Sequence, residues 1–193
     1  FDEMIDGRGY RQADATLTEE ATYSLAAGYA FDLVDDVVGE LGEPVGVASY
    51  RPTHAQGEDF LHNYLGMLGI PIALQATFPA EADTVLLTQA AAADPDNVQK
   101  IRAQLLDGKN VVITSGLLDA LEQRGIQDIA EIQVTDRNGL VSDYLVQGEI
   151  VSGDEDIIIP QLHYYTNDSW ELVGAVDGPN GWPLLHDADY AEG

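Results

Sequence analysis

The chain has 193 residues, of which 34 are acidic and 8 are Lys or Arg, for a formal net charge of −26. Such a surface repels phosphate backbones and anionic bilayers, so neither nucleic acid nor membrane is an expected partner. There is no cysteine, which removes disulfides, thiolate metal sites and a cysteine nucleophile.

A hydrophobic fraction of 45% is ordinary for a globular protein, and the length suits one domain with an appendage. No apolar run approaches the roughly 20 residues that span a bilayer, and no basic-then-apolar signal segment opens the chain. A soluble protein is expected, with cytoplasmic and secreted locations both open. The acids are scattered rather than gathered in a tail, and Lys100 and Lys109 are the only lysines. That pattern fits a surface kept hydrated in high salt, as in an organism of saline habitat. Phe1 and Gly193 read as cut points within a longer protein, so other domains of the same polypeptide are expected partners.

Phe1 to Thr16 is polar and reads as loop. Thr16-Leu17-Thr18-Glu19 fits a capping box, in which hydroxyl and carboxylate satisfy each other's backbone donors. Ala21, Leu25, Tyr29, Leu33, Val37 and Leu41 then recur at helical spacing, and Gly42 ends the helix. Pro44 to Tyr50 reads as a buried strand, Arg51 to Gly57 as a loop, and Glu58 to Leu68 as a helix stopped by Gly69. Ile70 to Phe78 and Asp83 to Thr88 read as strands. Asp94-Pro95 starts a helix with proline at its first position, which runs to Leu106. Asn110 to Thr114 is a fourth apolar strand. Ser115 caps a helix through Arg124, and Gly125 ends it. Ile129 to Thr135, Leu140 to Val146 and Ile157 to Tyr165 read as strands, with Pro160 marking a sheet edge.

Alternation of short apolar strands with amphipathic helices from Pro44 to Thr135 predicts an α/β domain. Its sheet is expected to be mostly parallel and doubly wound, with a strand-rich extension from about residue 136 that either continues the main sheet or forms a small antiparallel flap. Ligands of such sheets bind beyond the carboxyl ends of the strands. Two loops fall there. The first runs from Arg51 through His54 to Glu58 and Asp59, offering a guanidinium, an imidazole and two carboxylates for polar-ligand binding or acid–base work. The alternative is that the two acids sit at a helix start and Arg51 pairs with one of them. The second is Thr114-Ser115-Gly116 on a strand-to-helix turn. The glycine-flanked serine elbow is absent, so Ser115 is either a nucleophile candidate or a plain N-cap. Catalytic candidates are therefore His54, Glu58 and Ser115. Ligand-binding candidates are Arg51, His54, Glu58, Asp59, Thr114 and Ser115.

His62, His163 and His186 lack the spaced partners of a zinc site. Asp154-Glu155-Asp156 lacks the rest of a calcium loop and reads as a solvated turn. No metal or cofactor is expected. Trp170 and Trp182, near Asn167-Asp168 and Gly178-Pro179-Asn180-Gly181, read as loop anchors or sugar-stacking rings.

Pro44-Val-Gly-Val-Ala-Ser-Tyr50, Gly57-Glu-Asp-Phe-Leu61, Leu68-Gly-Ile-Pro71, Val85-Leu-Leu-Thr88 and the stretch Val98 to Gly108 leading into Val111-Val-Ile-Thr114 form a pattern. It resembles a class I glutamine amidotransferase-like domain, more narrowly the non-catalytic type found as the trimerisation domain of some β-galactosidases. The resemblance implies a flavodoxin-like or amidotransferase-like fold. It also implies a non-catalytic accessory or oligomerisation domain of a larger carbohydrate-active protein, with a homo-oligomer and carbohydrate as further partners. Residues 1–42 would then end a preceding barrel, to whose site Asp2 and Glu3 would belong. The rival expectations are a sugar-binding module, or a hydrolase built on Arg51, His54 and Glu58.

Overall fold

A computed structural model describes residues 19–164, 169–178 and 180–190. The chain divides into two compact units, Phe1–Pro44 and Val45–Gly193. In the first, α1 spans Glu19–Val38 and closes earlier than Gly42 in a turn where Glu40 N–H donates to Val37 O. The loop before Thr16, the capping-box threonines Thr16 and Thr18, and Asp2 and Glu3 lie outside the described residues.

The second unit holds two sheets. The first is built from β1 (Val47–Tyr50), β2 (Ile72–Gln75), β3 (Thr84–Leu87) and β4 (Asn110–Ile113), with α2 (Leu61–Met67) between β1 and β2. A 3-10 turn (Gln89–Ala93) and α3 (Asn97–Leu106) separate β3 from β4, and α4 (Ser115–Ala120) follows. All pairings are parallel, in the order β2-β1-β3-β4. Tyr50 registers with Leu87 and Ala48 with Val85, so these side chains share a face. Tyr50, Val85 and Leu87 pack there with Ile101 of α3 and with Leu117, Leu118, Leu121 and Ile126 in the main core. Alternation sends Ser49 and Leu86 to the opposite face, over which α2 lies.

The second sheet is antiparallel, in the order β6-β5-β7-β8, from β5 (Ile132–Val146), β6 (Glu149–Tyr164), β7 (Ser169–Asp177) and β8 (Asn180–Ala188). Gln147 and Gly148, both with positive φ (52° and 85°), turn β5 into β6, as a two-residue hairpin of matching twist needs. Val141, Ile159, Ala175 and Trp182 form a small core of their own. Ile132, Val134 and Leu162 at the sheet's base pack instead on the main core.

This corrects the expected doubly wound, flavodoxin-like sheet. Four strands are parallel, but the fifth and later strands build a separate antiparallel sheet. Two physical causes are visible. The connection from β2 to β3, residues 76–83, contains no helix, so helices do not cover both faces evenly. The strand after α4 alternates half-buried Ile132 and Val134 with polar neighbours. Such period-two amphipathicity suits an antiparallel sheet with one wet face, not a parallel strand buried on both sides. The residues 136–139, expected to separate two strands, run through β5, whose pairing to β6 shifts register there. Pro160 sits on β6, an edge strand, as its missing donor requires.

Candidate functional site

After β1 the chain moves to β2 on one side, while β3 lies on the other side of β1. Loops leaving neighbouring strands in opposite directions open a crevice at their carboxyl ends. The loops after β1, β3 and β4 meet there, and Glu58 joins them. Its Oε2 accepts from the Gln89 backbone N–H at 2.7 Å and from Thr114 Oγ1 at 2.6 Å. Both are charge-assisted bonds, the stronger kind.

The backbone bends to deliver that carboxylate. Glu58 has φ +50° and His54 φ +64°, a region that non-glycine residues enter only at a cost and that clusters at functional loops. Glu58 is not at a helix start, because α2 begins at Leu61. Gly116 makes the room: a β-carbon there would stand 2.7 Å from Glu58 Oε1 and 3.0 Å from its Cδ.

Arg51 turns inward on its own loop. It donates to Ala55 O at 3.0 Å and to the Asp59 carboxylate, with which it forms an ion pair. The expected Arg51 pairing is therefore with Asp59. Thr114, not Ser115, caps α4: its Oγ1 accepts from Leu117 N–H at 3.2 Å while donating to Glu58. Ser115 is the first residue of α4 and is half-buried. His54 is exposed on the first loop. The structure thus forms two separate bonded groups at this rim, Glu58 with Thr114 and Gln89, and Arg51 with Asp59 on the first loop, with Ser115 next to Thr114.

A second polar pair beneath the rim had no sequence signal beyond a serine in an apolar strand. Ser49 is fully buried and donates to Leu86 O at 2.8 Å. Its Oγ lies 2.8 Å from His62 Nε2. With the single serine proton committed to the carbonyl, the imidazole must donate, so His62 is the Nε2–H tautomer. Burial lowers the His62 pKa below its ordinary value, and Arg51 lowers it further against an opposing effect of Glu58. The polarity is the reverse of a nucleophile–base pair, in which histidine accepts the serine proton.

Asp94, expected as a helix N-cap, is a buried hub instead. It accepts from Tyr50 Oη at 2.9 Å and from the Asp96 N–H at 2.9 Å, and it pairs with Lys100. α3 starts later, at Asn97. Burial alone would raise the Asp94 pKa, but the bonds from Lys100, Asp96 and Tyr50 outweigh it and hold the carboxyl low. Burial, with the bond to Asp94 and its charge, pushes the Tyr50 hydroxyl up to about 12.

The remaining sequence candidates lie on the antiparallel sheet. Asp154, Glu155 and Asp156 run along β6 and are exposed, so they form a strand rather than a turn. His163 is on β6. His186 on β8 rests against the Tyr164 ring, centroids 4.5 Å apart, and burial lowers its pKa against Glu171 and Asp187. Trp182 is a core residue and Trp170 lies on β7; both belong to strands. Asn167, Asp168 and Pro179 lie outside the described residues. Among the described residues, no three His, Asp or Glu side chains gather as a metal's ligands would, and no helix is long and apolar enough to cross a membrane.

A family model described as "Uncharacterized protein SSO3021, second domain" matches residues 42–193. No curated protein matches the chain.

Proposed function

From the premise that the chain belongs to the family described as the second domain of uncharacterized protein SSO3021, we propose that residues 42–193 serve as a non-catalytic accessory domain of a multidomain protein. The words "second domain" in that description support a module among others, and the boundary between compact units at Pro44 and Val45 falls close to the start of the match. The resemblance read in the sequence is the sole ground for proposing a carbohydrate-active domain beside it.

One observation carries the reading: Glu58, Thr114, Arg51 and Asp59 are all engaged in bonds within the protein. Glu58 is held by Gln89 and Thr114, and Arg51 by Asp59 and Ala55. An ionised carboxylate with two donors, reached through strained backbone, acts as a tie between three loops. Chromogenic ester and glycoside substrates test it. The expected result is no turnover above the Glu58→Gln variant, together with a lower melting temperature for that variant. Turnover that Glu58→Gln abolishes while keeping its fold would overturn the proposal.

The 2.6 Å bond from Thr114 to Glu58 favours one rival, a hydrolase in which Glu58 takes the Thr114 proton. Thr114→Ser separates the two. A hydrolase keeps measurable turnover in it, whereas an accessory domain keeps only its stability.

A further inference from the structure

We propose that the groove between α3 and the turn after α4 binds a small organic monocarboxylate with an apolar body. No residue of the Glu58 rim lines this groove. The inference therefore goes beyond the accessory-domain reading and stands whether or not the rim is catalytic.

α3 buries Asn97, Ile101 and Gln104 against the protein. Val98, Arg102 and Leu106 follow one another at every fourth position, so they stack along a neighbouring stripe of the helix. With Ala103 they line a cavity of about 340 Å³, whose far side carries Arg124 and Asp128. That volume falls at the small end of ligand pockets. Two bonds fix the far side. Arg124 Nη1 donates to Ala92 O at 2.6 Å, and its Nη2 to Asp94 O at 2.9 Å. They tie the turn after α4 to the segment that precedes α3. The guanidinium is thus held in place before a ligand arrives, which lowers the ordering cost of binding.

Charge identifies the occupant. Lys and Arg are scarce, 8 against 34 acids. Among the described residues, Arg51, Lys100 and Lys109 each pair with a carboxylate, and Arg137 is exposed on β5. Arg102 and Arg124 pair with no carboxylate, and both line the groove. Arg102 is half-buried and has no hydrogen-bond or ionic partner among the described residues. A guanidinium partly withdrawn from water without an acceptor is unfavourable, and a carboxylate matches its fork with two parallel bonds. Two guanidiniums against the Asp128 carboxylate leave the lining a formal charge of +1. That suits a monoanion and disfavours a phosphate dianion, which a chain of −26 also repels more strongly. Val98, Ala103 and Leu106 offer apolar surface to the rest of the ligand.

Phenylacetate is the probe, with uncharged phenylacetamide and inorganic phosphate as comparators. Each is titrated into the full chain at constant ionic strength near pH 7, where the carboxylate is ionised. Two-dimensional NMR of the backbone amides and arginine Nε–H groups reads the binding. Phenylacetate should saturate one site, with the shifts centred on α3 and on Arg124 to Asp128. Phenylacetamide should bind at least about tenfold more weakly, the worth of one bond to a charged group, and phosphate more weakly than phenylacetate. Arg102→Gln should weaken phenylacetate by a similar factor and leave phenylacetamide unchanged. Arg102→Lys keeps the charge but not the fork, and should fall between. The comparison of the three probes on the wild-type chain stands without any variant. The inference is overturned by no saturation with phenylacetate at millimolar concentration, by equal binding of the amide, by phosphate binding as tightly, or by shifts centred elsewhere.

Discussion

Glu58 and Gly116 are fitted to one another: the carboxylate occupies the space that a β-carbon at position 116 would take, 2.7 Å from Oε1. Because Oε2 is tied by two donors, the side chain cannot simply swing aside. Gly116→Ala should therefore destabilise the domain, by about 1–3 kcal/mol, as the bonds to Glu58 are lost or bent. In a Glu58→Ala background the clash disappears. The same substitution should then be stabilising by up to about 1 kcal/mol, the helix preference of alanine over glycine. Urea melts of the four proteins measure the change of sign, and equal effects in both backgrounds would contradict it.

His54→Gly tests the strained loop. His54 is exposed with φ +64°, where an L side chain costs about 1–2 kcal/mol and glycine costs little. The variant should be as stable as the wild type or more so, despite the extra chain entropy of glycine. A thermal melt that falls by several degrees would show that the imidazole makes contacts of its own.

His62 gives a pH dependence with a definite sign. Its folded pKa lies below the ordinary value, so the folded state binds its proton less readily than the unfolded chain. Its contribution is constant above about 6.5 and is lost as pH falls through that value towards the folded pKa. His62→Gln keeps a donor for Ser49 without titrating. The stability of wild type relative to His62→Gln should decline below pH 6.5, read by denaturant melts at stepped pH. A relative gain would mean that the imidazolium is stabilised in place.

Salt provides a broader test. With 34 acids against 8 Lys and Arg, like-charge repulsion opposes the compact state and is screened by added ions. The melting temperature should climb steeply from dilute buffer to molar KCl, and equal values would remove the saline-adapted reading.

How much of this was legible in the sequence varies by physical cause. The four parallel strands are visible because Val47–Tyr50, Thr84–Leu87 and their partners are short apolar runs bounded by polar, glycine or proline residues. The gathering of the loops after the first and fourth strands at one rim follows from topology. An antiparallel C-terminal part is one of the two arrangements the sequence suggests, but its strand bounds are hidden because Asp136-Arg-Asn-Gly139 carries turn residues yet runs within a fifteen-residue strand. Gly178, Asn180 and Gly181 between Trp170 and Trp182 suggest a loop, whereas Asn180 and Gly181 pair with Asp177 and Val176 as the start of β8, so both tryptophans stand on strands of one hairpin. Ser49 was silent, since a serine in a buried strand shows its role only when Leu86 and His62 are seen beside it. Asp94 misled because the following proline imitates a helix start, whereas the carboxylate serves Tyr50 and Lys100.

The account rests on Glu58 acting as a structural tie, and a double-mutant cycle between Glu58 and Thr114 addresses that directly. Glu58→Gln, Thr114→Val and the double variant are compared by chemical denaturation. A hydrogen bond to a charged group is worth about 1.5–3 kcal/mol, and a coupling energy of that size is the predicted result. A coupling near zero would mean that the two side chains contribute independently, and that the convergence of the three loops on Glu58 does not hold the rim together.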